Sequence, residues 1–187
     1  MSQATKGAGE DSGLADGPLS SARDVHSARD ARTARDVHTS DIVSSHRLGR
    51  RLVLAALFEA EFGQRTAGSI LERHVAEGAA DEATAEFARR LVSRVVEERV
   101  NIDAVIERLA PQYPVVQLAR MDRTLLRSGI CEVLHSGTPS RVAIAEWVEL
   151  ARTYSGEPAR RLVNGVLGRI ARESVAGALS APEPGPQ

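Results

Sequence analysis

Apolar residues recur at helical spacing through most of the chain between residues 45 and 176. Phe87, Leu91 and Val95, for example, stand four positions apart, so they share one side of a helix. No stretch alternates apolar and polar residues as a half-buried strand would, and β-favouring aromatic residues are few. The pattern predicts an all-α protein.

The helices are bounded by residues that cap or break them. Gly63 is expected to close the first helix and Asp81 to cap the third, while Pro111 and Pro114 separate an N-terminal from a C-terminal group of helices. The predicted architecture is therefore a single helical bundle made of two helical subdomains. We expect helices over residues 45–62, 69–77, 81–109, 120–135, 140–154 and 159–173. The third of these either is continuous or ends and restarts at Asn101.

Both ends of the chain differ from this region in composition. Residues 1–44 are poor in large apolar residues, and Ala-Arg-Asp recurs within them every six residues. Such a segment cannot bury enough surface to offset its chain entropy, so we predict a disordered low-complexity extension. Residues 177–187 form a Pro-rich tail that is predicted to be flexible. The helical domain is accordingly predicted over residues 45–176.

The overall composition is that of one soluble domain. The chain has 187 residues, of which 42% are hydrophobic, and Arg or Glu interrupts every apolar stretch before the roughly 20 residues that a membrane span needs. The N-terminus lacks the apolar region of a secretory signal. Cys131 is the only cysteine, so it cannot form an internal disulfide. We expect a cytoplasmic protein without a membrane span.

A compact group of basic residues opens the first helix. The net charge of the chain is only -1, so any RNA-binding site must be a local patch. Arg47, Arg50 and Arg51 stand at positions i, i+3 and i+4, and we expect them to project from one side of the helix with His46 beside them. Such a cluster can neutralise phosphates, although a solvated helix face is the alternative interpretation.

A second motif lies near the C-terminus, at residues 161–167 (RLVNGVL), and follows the segments 142–151 and 121–127. Together with the basic helix start, this series resembles the NusB family of bacterial RNA-binding transcription antitermination factors over roughly residues 46–173. The resemblance implies a non-catalytic factor that binds boxA RNA of ribosomal RNA leaders together with the ribosomal protein NusE. Through other Nus factors, it would act on the RNA polymerase elongation complex and promote ribosomal RNA transcription.

The resemblance also implies residue roles. In the family, Leu162 lies where a phenylalanine able to stack on a base is often found, and Pro158 replaces a usually acidic residue. A NusE-docking surface is implied for Phe58, Asp122 and Arg123, with helix capping by Asp122 beside a surface arginine as the alternative. RNA binding is implied for His46, Arg47, Arg50, Arg51, Arg160, Arg161 and Leu162.

Other features are interpreted as structural. Trp147 and Cys131 are predicted to be buried in the core. Gly165 is predicted to let a neighbouring helix approach, and the Asn164 amide is predicted to be buried and bonded to backbone. The five histidines show no metal-ligand spacing, and the sequence holds no phosphate-binding glycine loop or catalytic constellation. We therefore predict no metal, no cofactor and no enzymatic activity.

Two other functional classes stay open. The chain is also similar to the helical domain that precedes the catalytic domain in some ribosomal RNA cytosine methyltransferases, although we expect no cofactor-binding domain in this protein. A helical adaptor that binds only protein, with arginines that serve solubility, is the other alternative. Monomer and homodimer both remain open, because related proteins occur in both forms.

Overall fold

The structure, a computed structural model, describes residues 44–175, and this part of the chain is helical without a β-strand. The all-α prediction is confirmed. None of the described helices is long and apolar enough to cross a membrane. The predicted tail, and the predicted extension except for residue 44, lie outside the described residues. The elements are α1 over residues 44–60, α2 Ala67–Ala76, α3 Glu82–Glu97, α4 Arg99–Leu109, a 3-10 turn Val115–Gln117, α5 Arg120–His135, α6 Ser140–Tyr154 and α7 Glu157–Val175.

Local sequence signals account for the helix ends. The Asp81 carboxylate accepts the backbone N–H of Thr84 at 2.8 Å, which confirms the predicted cap of α3. Helix α3 ends before Glu98, so α4 is a separate helix that restarts two residues earlier than Asn101. Gly63 follows α1 with φ of 74°, a left-handed conformation that glycine adopts without steric cost.

Two helices begin two residues earlier than predicted. Helix α2 starts at Ala67 because the Thr66 hydroxyl accepts the backbone N–H of Ser69 at 3.2 Å and so caps it. Helix α7 starts at Glu157 and takes Pro158 into its first turn, as expected for a residue whose missing N–H has no helical partner there.

Helix α5 is the centre of the bundle. It packs against α6 and α7, which also pack against each other, and on its other sides against α3 and α4. Every residue from Thr124 to Val133 is buried, and one apolar core joins the helices on both sides of α5. Trp147 and Cys131 are fully buried in this core, as predicted, and burial raises the pKa of the Cys131 thiol to about 12.

The predicted structural role of Asn164 and Gly165 is wrong. Both residues are exposed, and no other helix of the described residues comes within 4 Å of a Cβ placed on Gly165. The buried stripe of α7 runs through Val163, Val166 and Leu167, which puts positions 164 and 165 on its outer side. These two residues therefore do not bring a neighbouring helix close to α7.

Close helix packing occurs instead at Gly129 on α5. A Cβ at this position would lie 2.9 Å from Leu167 Cδ1 and 3.2 Å from Trp147 Cγ. Since both neighbours are fully buried, neither can move into open space. Gly129 is therefore the residue that allows α5 to approach α6 and α7.

Exchanging each glycine for alanine should change stability in opposite directions. We expect Gly129→Ala to lower the free energy of unfolding by about 1–3 kcal/mol through overpacking. Gly165→Ala should raise it by about 0.5–1 kcal/mol, because alanine loses less conformational entropy in an exposed helix. Urea unfolding followed by circular dichroism measures both variants. Equal shifts in the same direction would contradict this account of the packing.

Candidate RNA-binding and partner surfaces

Arg47 is an accessible cation at the start of α1. Its side chain is 58% exposed, and its Nε and Nη2 atoms donate to the Glu146 carboxylate on α6 at 2.9 and 2.7 Å. This hydrogen bonding holds the pKa of Glu146 below its usual range. Arg47 is therefore aimed across α6 while its guanidinium remains open to solvent.

Arg51 is also exposed, and within residues 44–175 it forms no ion pair. Arg51 stands one helical turn after Arg47 on α1, and its positive charge contributes to the lowered pKa of Glu146. The predicted surface position of Arg47 and Arg51 is confirmed.

Arg50 is not part of this surface, and its predicted exposure is wrong. Its side chain is only 2% exposed and donates to the fully buried Glu132 carboxylate at 2.9 and 2.6 Å. The indole Nε1 of Trp147 donates to the same carboxylate at 2.7 Å. Val53 and Leu54, three and four residues after Arg50, are both buried, so position 50 lies on the side of α1 that faces the core. Replacing Arg50 together with its exposed neighbours would therefore disturb the fold.

His46 contributes an aromatic ring to this surface and not a positive charge. Its imidazole stacks on Phe87 of α3, with ring centroids 4.4 Å apart and planes inclined by 20°. Burial lowers the pKa of His46, and the nearby Arg50 charge lowers it further. The ring is consequently neutral for the most part at neutral pH.

The first turn of α7 presents two more arginines. Arg160 and Arg161 both bind Glu157, at 2.7 and 3.3 Å, and the Arg161 side chain is 75% exposed. Hydrogen bonding from Arg160 is the main reason that the pKa of Glu157 falls to about 2. Leu162 is half-buried and packs against the core, so only part of its side chain is open to a ligand.

Helix α6 connects these two basic regions. Arg152 binds Glu149 at 2.6 Å, and the charge of Arg47 helps to lower the pKa of Glu149 while that of Glu157 helps to raise the pKa of Arg152. The five arginines on α1, α6 and α7 thus stand on adjoining parts of these helices, together with Glu146, Glu149 and Glu157. Five positive and three negative charges leave a surplus of two positive charges. We call this surface the arginine strip: Arg47, Arg51, Arg152, Arg160 and Arg161.

The second candidate surface lies where the end of α1 meets the start of α5. Phe58 is half-buried and packs edge-on against Phe62, with ring centroids 5.4 Å apart. Phe62 is the exposed member of the pair, and the guanidinium of Arg120 lies 4.7 Å from its ring centroid. The accessible aromatic ring at this junction is therefore mainly that of Phe62.

Asp122 and Arg123 differ in their availability. Asp122 lies half-buried in the first turn of α5 and accepts a hydrogen bond from the Ser155 hydroxyl, while Ala119 begins the helix without a side-chain cap. Arg123 binds Glu61, which also accepts the nearly buried Arg127 at 2.7 Å. The prediction of a surface Arg123 is wrong, because its side chain is 16% exposed and belongs to an internal ion-pair network.

This chain can be placed among known proteins by sequence and by shape. Residues 47–172, which hold α2 to α6 and nearly all of α1 and α7, match the sequence model of the NusB family. The chain belongs to the NusB family. The family is one of non-catalytic transcription antitermination factors, so this NusB protein is a binding factor and not an enzyme.

Individual relatives agree with this assignment. The transcription antitermination protein NusB of Dehalococcoides mccartyi is 36% identical over 132 residues, which cover 70% of this chain and 92% of the relative. The solved structure of T. maritima NusB has a TM-score of 0.65 at 35% identity and is matched over 68% of this chain and 91% of its own. A crystal structure of the antitermination factors NusB and NusE in complex with double-stranded RNA matches with a TM-score of 0.61 at 26% identity, over 69% and 97% of the two chains.

Sequence reasoning missed three side chains that shape these NusB surfaces. Arg152 follows Glu149 by three residues, a spacing that favours a helical ion pair. Phe62 follows Phe58 by four residues, a spacing at which the predicted helix over 45–62 puts both rings on one side. Glu132 stands in the apolar run 130–134, where a charged residue signals a buried partner. Only the structure identifies that partner as Arg50.

Proposed function

We propose that this NusB protein binds boxA-type RNA of ribosomal RNA leaders together with the ribosomal protein NusE, and so promotes processive ribosomal RNA transcription. It acts on the RNA polymerase elongation complex through other Nus factors, in the cytoplasm. The arginine strip is the observation that carries the RNA-binding part of this proposal. The similarity to a NusB protein solved with NusE and double-stranded RNA supports both partners.

The strip suits phosphate binding because its arginines are held in place by exchangeable partners. Glu146 and Glu157 orient Arg47, Arg160 and Arg161 before RNA arrives. Ion pairs at exposed sites, such as those of Arg160 and Arg161 with Glu157, contribute only about 0–1 kcal/mol, so a phosphate can take this carboxylate's place at small cost. Planar guanidinium groups also match phosphate oxygens in pairs. Arg51 contacts phosphate without first leaving an ion pair within residues 44–175.

Sequence preference requires contacts beyond these phosphates, because the phosphate backbone is the same at every position. Leu162 offers an apolar contact beside Arg161 but has no aromatic face for stacking. Arg50 takes no direct part in our proposal, since its guanidinium is enclosed with Glu132. Its contribution is to fix α1 on α5 and so to hold Arg47 and Arg51 in position.

The NusE-docking surface is proposed at the junction of α1 and α5. Phe62 supplies an exposed aromatic ring, Phe58 supports it from the preceding turn, and Asp122 adds a carboxylate. Aromatic rings with a neighbouring charge are well suited to protein interfaces. Arg123 acts indirectly, because its bond to Glu61 joins the two helices that carry these groups.

A salt titration of RNA binding tests the proposed function. Affinity for a boxA RNA should exceed that for a scrambled RNA of equal length at each salt concentration. The logarithm of both affinities should fall linearly with the logarithm of salt concentration. A protein-only adaptor would bind neither RNA under any of these conditions. Equal affinities for the two RNAs would refute the proposed boxA preference.

Changing the junction should separate NusE binding from RNA binding. We expect Asp122→Arg and Phe62→Ala each to weaken NusE binding about tenfold, through repulsion in the first case and lost aromatic contact in the second. RNA affinity of the isolated protein should change less than about twofold for Phe62→Ala, which leaves the charge unaltered. Isothermal titration calorimetry with purified NusE measures the effect.

Glu107→Arg on α4 is the matched control for Asp122→Arg, because it makes the same change of charge at an exposed position. This control should bind NusE like the unmodified protein. If Asp122→Arg and Glu107→Arg weaken NusE binding equally, the docking surface is not at the junction of α1 and α5.

A further inference from the structure

A groove opens beside the arginine strip, between the start of α1, the outer side of α3 and the loop that joins α5 to α6. Its volume is about 750 Å³. Apolar side chains of Leu91, Val142 and Pro139 line it, and His46 lies in its wall. Glu146, which binds Arg47, is a further lining residue, so the groove is continuous with the strip.

The charges around the groove are balanced, in contrast to those of the strip. Arg94 lies 3.5 Å from Glu97, and Arg90 binds Glu86 at 2.9 Å. At the base of the groove, Arg50 is neutralised by a buried carboxylate. A phosphate would gain little here from unpaired positive charge, whereas a flat neutral group would gain from apolar contact.

The groove wall also offers an aromatic platform. Phe87 is nearly buried, and His46 lies stacked against it, so the accessible ring of the pair belongs to His46. Aromatic side chains bind unpaired bases by stacking, because every base has a π face. His135 and Thr138 also line the groove and supply donors and acceptors that can meet the edge of a base.

We propose that this groove holds one unpaired nucleobase of the RNA whose phosphates lie along the arginine strip, with the base stacked on His46. This inference rests on the proposed RNA-binding function and adds a site for a base to it. The strip binds the backbone of the RNA, and the groove distinguishes a strand that can turn one base outward from a strand that cannot. His46 thus binds RNA through its ring and not through its charge.

Single abasic substitutions along a boxA RNA test the inference on the full-length protein. Each abasic RNA keeps its phosphates and lacks one base. We expect one position at which loss of the base weakens binding to the unmodified protein by about 5- to 30-fold. His46→Ala should weaken binding to the intact RNA by a similar factor, and it should show no further loss at that position. The slope of affinity against salt should stay unchanged in His46→Ala.

His46→Phe is the conservative control, because it keeps a flat ring on Phe87 without a titratable group. It should bind the intact RNA within about threefold of the unmodified protein. The inference would be overturned if His46→Ala and each abasic substitution lowered RNA affinity additively, with no position at which the two losses overlap. So would a His46→Ala variant that binds RNA normally but binds NusE weakly, since the groove would then belong to the protein partner.

Failure of the inference can be told apart from failure of the proposed function. If the unmodified protein binds boxA RNA with the expected salt dependence while His46→Ala has no effect, only the base site is refuted. If the unmodified protein does not bind RNA, the proposed function and the base site both fail.

Discussion

Arg50→Ala is expected to lower the free energy of unfolding by about 3–5 kcal/mol, because it leaves the buried Glu132 carboxylate without its cation. Trp147 Nε1–H would remain as the only hydrogen-bond donor to that carboxylate from the described residues. Folded domains are stable by only about 5–15 kcal/mol, so this loss takes a large share of the total. Thermal and urea unfolding followed by circular dichroism measure it.

The neighbouring Arg51→Ala is the matched control, since it removes the same charge from the same helix at an exposed position. Its unfolding free energy should stay within about 0.5 kcal/mol of the unmodified protein. A double variant, Arg50→Leu with Glu132→Gln, should recover part of the stability that Arg50→Ala loses, because no unpaired charge is then buried. Equal stability of Arg50→Ala and Arg51→Ala would contradict the buried ion pair.

The second large effect concerns RNA affinity. Replacing Arg47, Arg51 and Arg161 together by alanine should weaken boxA RNA binding about 100-fold at low salt, if each lost phosphate contact contributes about 1 kcal/mol. The salt slope for a single-stranded RNA should become shallower by about two. The helix content and unfolding midpoint should remain close to those of the unmodified protein, because all three side chains are exposed. Fluorescence anisotropy at several salt concentrations measures both affinity and slope.

A control variant separates the strip from overall charge. Replacing Arg99, Arg108 and Arg169 by alanine removes the same charge from exposed positions on α4 and the later part of α7. We expect RNA affinity to fall by less than about fivefold in this variant, since only long-range attraction is reduced. If both triple variants lose the same affinity, the protein attracts RNA by its overall charge and the arginine strip is not the binding site.

The sequence predicts most of the fold because helix formation is largely a local property. The spacing of Phe87, Leu91 and Val95 defines the buried side of α3, and Asp81 marks its first turn. The prediction at Gly165 is wrong because the spacing of Val163, Val166 and Leu167 puts this position on the outer side of α7. Close approach at Gly129 depends on two other helices, which no local pattern specifies.

The candidate sites could be predicted only in part, because exposure depends on what packs over a side chain. Arg47, Arg50 and Arg51 look alike in the sequence, yet Arg50 is buried and paired with Glu132, which lies 82 residues further along the chain. Similarly, Arg123 was expected at the surface, but its partner Glu61 comes from a distant part of the chain. Burial of the arginine within a charge pair between helices therefore separates structural arginines from binding ones, and this burial is a property of the fold.

Coupled binding of RNA and NusE tests the central claim most directly. The affinity of the full-length protein for boxA RNA and for scrambled RNA should be measured by fluorescence anisotropy with and without saturating NusE. We predict that NusE increases the affinity for boxA RNA about tenfold or more, as positive coupling between two sites requires, and increases that for scrambled RNA much less. Equal affinities for the two RNAs, unchanged by NusE, would contradict the proposal that this NusB protein joins boxA RNA to NusE.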